Sequence, residues 1–171
     1  GSDQIAFVLD TFATCLSEMI GDTEEWAGGA WHDQKIIDGS ATTDISSLDS
    51  QEFDSIIFSP PYANRFDYFE SMKVELWFGQ FVSSYDEMNR LRKRSMRSHL
   101  GAALNNQPPQ RTDVSDLVRL MDPNSYAMKS RVPSLLHGYF DDMRQTLAAC
   151  RGVLKPGGSC FVVVGNSAYA G

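Results

Sequence analysis

The stretch Asp54-Ser-Ile-Ile-Phe-Ser-Pro-Pro-Tyr62 sets the architecture of the whole chain. Ser55 to Phe58 is a short apolar run of β-branched and aromatic residues. Asp54 precedes it and a proline pair follows, which predicts a buried strand stopped abruptly. Pro60 and Pro61 have no backbone N–H, so the turn cannot continue a ladder or a helix and its carbonyls point outward as acceptors. Ser59 adds a hydroxyl and Tyr62 a flat aromatic face. Two acceptors beside a stacking plane suit a planar ring bearing an NH₂ group, the amino edge of a nucleobase. A Ser-Pro-Pro turn that only closes a strand is the plainer alternative.

At 171 residues with 42% hydrophobic residues, the chain can bury one core, and one domain is expected. No run approaches the roughly 18 apolar residues of a membrane span. The start, Gly1-Ser2-Asp3-Gln4, has no basic region and reads as a cleavage scar on an excised piece. Cys15, Cys150 and Cys160 are odd in number and far apart, without a C-x-x-C pair, which points to reduced thiols in a cytoplasm and away from a zinc site. With a net charge of −7, binding to nucleic acid requires a local basic patch.

Ser59-Pro60-Pro61-Tyr62 after an apolar strand resembles the catalytic motif of the amino-group DNA methyltransferases. That family moves a methyl group from S-adenosylmethionine to the exocyclic nitrogen of cytosine or adenine. The resemblance implies that Ser59, Pro60, Pro61 and Tyr62 are catalytic. It also implies an α/β, Rossmann-like class I S-adenosylmethionine-dependent fold.

In chain order, Ile5, Val8, Leu9, Phe12, Leu16, Met19 and Ile20 recur at helical spacing and predict an amphipathic helix closed by Gly21. Asp22 to Trp31, with Trp26, reads as a loop. Lys35-Ile-Ile-Asp-Gly-Ser-Ala41 predicts a very short strand ending in a turn at Asp38, Gly39 and Ser40. In the family this segment resembles, an acidic residue one strand before the catalytic motif lies near the cofactor adenine. Asp38 and Ser40 are therefore the candidate cofactor contacts, although an Asp before Gly is also what any turn uses.

Residues 63–78 are rich in aromatics (Phe66, Tyr68, Phe69, Trp77 and Phe78) and are expected mostly in the core. The first turn of a helix leaving the strand tip falls in the site, so Asn64, Arg65 and Asp67 are placed to reach substrate or order the turn. Arg90, Arg92, Lys93, Arg94 and Arg97 are five of the 15 basic residues, within eight positions. On one helix Arg90, Arg94 and Arg97 share a face with Lys93 alongside, a pattern that suits phosphate contacts; a solvated face is the alternative. Leu100 to Pro133 reads as a polar, proline-interrupted loop or insertion.

From Leu135 the pattern is helical again, through Leu136, Tyr139, Phe140, Met143, Leu147 and Leu154, ending at Lys155-Pro-Gly-Gly158. Ser159 to Gly165 is an apolar run of the kind buried on both faces of a parallel sheet. Helix, Leu-Lys-Pro-Gly-Gly and hydrophobic strand in that order resemble the stretch after the catalytic strand in Rossmann-like methyltransferases. Asn166, at the end of that strand, would lie level with the catalytic turn and could touch it or the flipped base.

The family's glycine-rich cofactor turn, of Asp-Pro-Phe-x-Gly-x-Gly type, is absent from these residues. The resemblance therefore covers residues 35–171 and the catalytic half of a domain, with the cofactor segment expected upstream. Its parts would be an N-terminal helix and loop (1–34), strands leading to the motif (35–62), a helical insertion with the basic patch (63–133), and a helix and strand (134–171). The expected function is methyl transfer to double-stranded DNA with a flipped target base, cytosine N4 ahead of adenine N6. S-adenosylmethionine is expected to bind this piece alone poorly or not at all. An RNA amino-methyltransferase and a non-catalytic nucleic-acid-binding remnant are the alternatives.

Overall fold

A computed structural model describes residues 2–26, 35–64, 66–104, 112–125, 129 and 131–165. The chain divides into two compact units, Gly1–Asp38 and Gly39–Gly171.

The described residues of the first unit form a helix, α1 (Ser2–Trp26), and an irregular segment at 35–38. The helix runs through Gly21 rather than ending there. A Cβ at Gly21 would meet nothing, so the residue sits on an open face where glycine costs only its helix propensity. Asp22 to Trp26, expected as loop, continue the helix, and Trp31 lies outside the described residues. Ile5, Val8, Leu9, Phe12, Leu16, Met19 and Ile20 are all exposed.

The strand expected at Lys35–Ala41 does not form, and Ile36 is 96% exposed. From Ser40 onward the backbone is held by a turn. The Ser40 N–H donates to Asp44 Oδ2 (2.6 Å), and the Ser40 carbonyl accepts from the N–H groups of Asp44 (2.7 Å) and Thr43 (3.1 Å). Groups satisfied in a turn of this kind are not available to a ladder.

The second unit is built on two parallel strands, β1 (Phe53–Phe58) and β2 (Leu154–Val162). Between them come α2 (Tyr68–Ser71), α3 (Lys73–Phe78), α4 (Tyr85–Arg94), α5 (Thr112–Arg119) and α6 (Val132–Val153). This is a mixed α/β arrangement with a small parallel sheet, as parallel strands joined by helices require. Ser55 faces Ser159 and the register runs unbroken to Phe58 opposite Val162. Phe53, however, faces Leu154, so the whole of Lys155-Pro-Gly-Gly158 bulges out of β2. Gly157 permits this with φ +83°, and a Cβ on Gly158 would stand 3.0 Å from the Asp54 carbonyl. Burial on both faces of the strands is not observed: Ile57 and Phe161 are exposed.

The core lies on α6. Val132, Leu135, Leu136, Tyr139, Met143, Thr146, Cys150 and Val153 are buried at intervals of three and four. The stripe drifts from the expected one, leaving Phe140 and Leu147 partly exposed while Thr146 and Cys150 turn inward. Thr146 is accommodated because its hydroxyl donates to the Asp142 carbonyl (3.0 Å). The segment 100–133 is not simply a loop. Ala102, Leu104 and Val114 join Val132, Leu135 and Leu136 in one cluster, with Val118 and Met121 against it. The aromatics after β1 do not fill the core as expected: Phe66, Tyr68, Trp77 and Phe78 are exposed. No helix among the described residues is long and apolar enough to cross a membrane.

Candidate functional site

At the tip of β1 the chain turns through Ser59 to Tyr62. The ladder continues to that point, with the Val163 N–H donating to the Phe58 carbonyl at 3.0 Å. Ser59 then donates its hydroxyl to the Val163 carbonyl at 3.1 Å while remaining exposed. With its proton committed to β2, the Ser59 oxygen presents lone pairs to solvent. Pro60 is buried, and among the described residues no hydrogen bond reaches its carbonyl.

Tyr62 is half-buried, with its ring against Gly165 just beyond β2. Tyr139 of α6 stands on another side: burial, followed by the nearby Tyr62 phenol, pushes its hydroxyl above the usual tyrosine range. The turn is thus held from the end of β2. Neither Gly165 nor Tyr139 was legible as a partner of Tyr62, because only the parallel pairing brings 165 beside 62.

After Tyr62 the backbone is pinned locally. The Asn64 N–H donates to the Tyr62 carbonyl (2.7 Å), and the Phe66 N–H donates to Asn64 Oδ1 (3.0 Å). Asp67 caps α2, its Oδ1 accepting from the N–H groups of Phe69 (3.1 Å) and Glu70 (3.3 Å). Asn64 is exposed. Arg65 and Asn166 lie outside the described residues, as do 105–111.

The basic run does not form one helical face. Ser84 caps α4 by accepting from the Glu87 N–H (3.2 Å), and the helix closes at Arg94 with Ser95 as its C-cap, so Arg97 falls beyond it. Arg92, Lys93 and Arg94 in the last turn complement the helix dipole. Two of the five cations turn inward. Arg92 donates through Nε (2.9 Å) and Nη2 to Asp67 Oδ2, and its Nη1 lies 3.4 Å from Glu70 Oε1. Arg97 donates through Nε to both Asp142 oxygens (3.1 Å) and through Nη2 to Asp141 (3.0 Å). Its stem lies across Gly138, where a Cβ would come within 2.8 Å of Cδ. Arg90, Lys93 and Arg94 are exposed.

Hydrogen bonding from Asp142 holds the Arg97 guanidinium still further above its usual range, against the opposing effect of burial. For Asp141 burial works upward, but hydrogen bonds from Arg144 and Arg97 outweigh it and the carboxyl falls below its usual range. Of the acids nearest in sequence, Glu87 lies 3.8 Å from Arg90, whereas the partners of Arg92 and Arg97 come from residues 67–70 and 141–142.

Of the candidate cofactor residues, Asp38 is exposed on an irregular segment, and the Ser40 N–H, hydroxyl and carbonyl are engaged within the turn to Asp44. Among the described residues there is no group of three or more His, Cys, Asp or Glu that could hold a metal ion.

Compared with known proteins, the chain is 25% identical over 185 residues to the type II methyltransferase M.AvaI of Nostoc sp.. The chain is similar to type II methyltransferases. The match covers 99% of this chain and 37% of that relative, and the M.AvaI methyltransferase of Anabaena variabilis matches equally. The type II methyltransferase M.BsoBI of Geobacillus stearothermophilus is 24% identical over 166 residues, covering 80% of this chain and 31% of its own length. The chain thus spans about a third of the length of the curated relatives it matches. No family model and no solved structure matches it. The helices and small parallel sheet do not conflict with the similarity to these enzymes.

Proposed function

We propose that this chain is the methyl-acceptor part of an S-adenosylmethionine-dependent DNA methyltransferase that modifies an exocyclic amino group, cytosine N4 ahead of adenine N6. The observation that carries this reading is the Ser59 hydroxyl. Its proton is given to the Val163 carbonyl, so its exposed oxygen can only accept, beside the Pro60 carbonyl and the Tyr62 ring.

An exocyclic amino nitrogen is a poor nucleophile because its lone pair is delocalised into the ring. When Ser59 Oγ and the Pro60 carbonyl accept its two hydrogens, the nitrogen is drawn towards tetrahedral geometry and the lone pair is released. Tyr62 stacks on the base, which must leave the duplex to reach this turn. Positioning supplies most of the remainder. The cofactor, when bound, would supply the methyl group from its sulfonium, the sulfur leaving as a thioether, while the methylated nitrogen gives up one proton to solvent. In this proposal Asp38 and Ser40 are the candidate contacts this chain offers it. Asn64 belongs to the rim facing the base, and Arg90, Lys93 and Arg94 to the surface that meets DNA phosphates. Arg92 and Arg97 act inside the fold.

The test is transfer of tritiated methyl from S-adenosylmethionine by the full-length protein carrying this sequence, comparing unmethylated duplex DNA with structured RNA. Transfer to DNA, abolished by the Ser59→Ala, Pro60→Ala pair, is the expected result, and nucleoside digestion names the base. Transfer to RNA alone would replace DNA with RNA as substrate. Cofactor binding without transfer to either would leave a nucleic-acid-binding module.

A further inference from the structure

We propose that Asp67, Arg92 and His99 are positioning residues, fixing the Ser59–Tyr62 turn relative to the basic end of α4; this rests on the methyl-transfer reading above. None of the three reaches the acceptor surface. Together they close a ring of contacts that begins and ends beside Tyr62.

Going one way from Tyr62, the chain passes through the bonds at Asn64 and Phe66 to Asp67. The Asp67 carboxylate uses one oxygen to cap α2 and the other to receive the Arg92 fork from α4. The carbonyl of Arg92 accepts from the Ser95 hydroxyl (2.8 Å), and Ser95 Oγ lies 3.3 Å from His99 Nε2. The Gly101 N–H donates to His99 Nδ1 (3.2 Å). Gly101 leads to Ala102 in the core cluster, and Ala63, the residue after Tyr62, packs against that cluster. The ring is then complete.

Its members have little freedom to drift. The His99 side chain is 3% exposed, that of Asp67 16% and that of Arg92 21%. A side chain at position 101 would collide with the Arg92 guanidinium and stand 3.1 Å from Asp67 Oδ2, so glycine there permits the closest approach. Burial, against the influence of Asp67 and together with that of Arg92, holds the His99 imidazole below its usual range and hence neutral. The Ser95 and Gly101 contacts favour the proton on Nε2 and the lone pair on Nδ1, while Nδ1 also lies 3.2 Å from Asp67 Oδ2. His99 thus links the Gly101 backbone, the α4 C-cap and Asp67. Arg92 balances the Asp67 charge, in a two-pronged geometry lysine cannot reproduce.

The exposed cations Arg90, Lys93 and Arg94 sit on the same α4 whose Arg92 grips Asp67. A phosphate contact made by α4 is thereby set at a fixed distance from Tyr62.

The test uses the full-length protein labelled with 3-fluorotyrosine, the Tyr62 signal being assigned by its loss in Tyr62→Phe. In Arg92→Lys, which retains the charge, the Tyr62 fluorine signal is expected to shift. In the same variant kcat should fall about tenfold or more, as small misplacements of reacting groups do, while Kd for duplex DNA changes less than about twofold. Asp67→Asn should act alike, and the double variant should be no worse than either single one. An unmoved Tyr62 signal with unchanged kcat would overturn the proposal, and so would a loss expressed wholly in Kd. If the wild type transfers no methyl, the methyl-transfer reading fails, yet the fluorine shift still decides whether the cluster positions Tyr62. Should Arg92→Lys not fold, His99→Gln carries the same comparison.

Discussion

The ring of Tyr62 lies against the backbone of Gly165, so that a Cβ there would stand 3.1 Å from Cε2 and 3.3 Å from Cζ. The aromatic face offered to a base is therefore oriented by the residue three places beyond the last residue of β2. Gly165→Val should drive the ring off its seat and weaken binding of a target duplex by about 1–3 kcal/mol, the usual cost of overpacking. Gly165→Ala should cost the smaller part of that. Fluorescence anisotropy with labelled duplex measures both; equal and negligible effects would mean that the ring is not held by this contact.

Within the turn, Ser59 and Pro60 are assigned to the amino hydrogens and Tyr62 to the ring face. Tyr62→Ala should mainly weaken target binding, by about 1–3 kcal/mol for one lost base stack. Pro60→Ala should mainly lower the methyl-transfer rate. Steady-state kinetics on the full-length enzyme separate the two, and equal effects on both constants would contradict this division.

The basic residues should part into two classes. Alanine at Arg90, Lys93 or Arg94 should reduce the slope of log affinity against log salt by about 1 each, with little change in melting temperature. Arg97→Ala should instead destabilise the fold by about 3 kcal/mol, because Asp142 would keep a largely buried charge without its partner. Salt titrations and thermal melts on the same four variants show whether the classes hold.

His99 also sets a pH dependence. Its imidazole, like that of His137, is held by burial below the reference value of 6.5. As pH falls through that value, the unfolded chain takes up protons that the folded chain does not. The stability is therefore complete above pH 6.5 and declines on the acid side, towards the lowered folded values. Denaturant melts of the wild type should show this decline, and His99→Gln should flatten it. An unchanged profile in the variant would remove His99 as its source.

Much of this was legible in the sequence where the signal is local. The strand ending at Phe58, its proline stop, the long helix before Lys155 and the apolar run after it all follow from period and breakers within a few residues. The failures share one cause. Lys35–Ala41 looks like a strand, but Asp44 offers its backbone a turn four residues away. Phe66, Tyr68, Trp77 and Phe78 have core-type side chains, yet nothing in a hydrophobic pattern says which apolar surface stays open. Arg97 was read with its neighbours as a phosphate contact, whereas its partner Asp142 lies 45 residues on. The acceptor turn could be found from four adjacent residues. Its supports, Val163, Gly165 and Asp67, required the parallel pairing and contacts made far along the chain.

The bulge at Lys155-Pro-Gly-Gly158 has a consequence for how this architecture tolerates change in length. The pairing that matters to the turn, Ser55 with Ser159 through Phe58 with Val162, begins after the bulge. The helix-facing pair, Phe53 with Leu154, lies before it. Residues gained or lost within the bulge would alter the size of an outward loop and leave both pairings in phase. A one-residue change beyond Ser159 would instead turn the β2 side chains that follow it to the opposite face and carry the Val163 carbonyl away from Ser59. The chain thus keeps its slack on one side of the sheet and its tolerance-free spacing on the other.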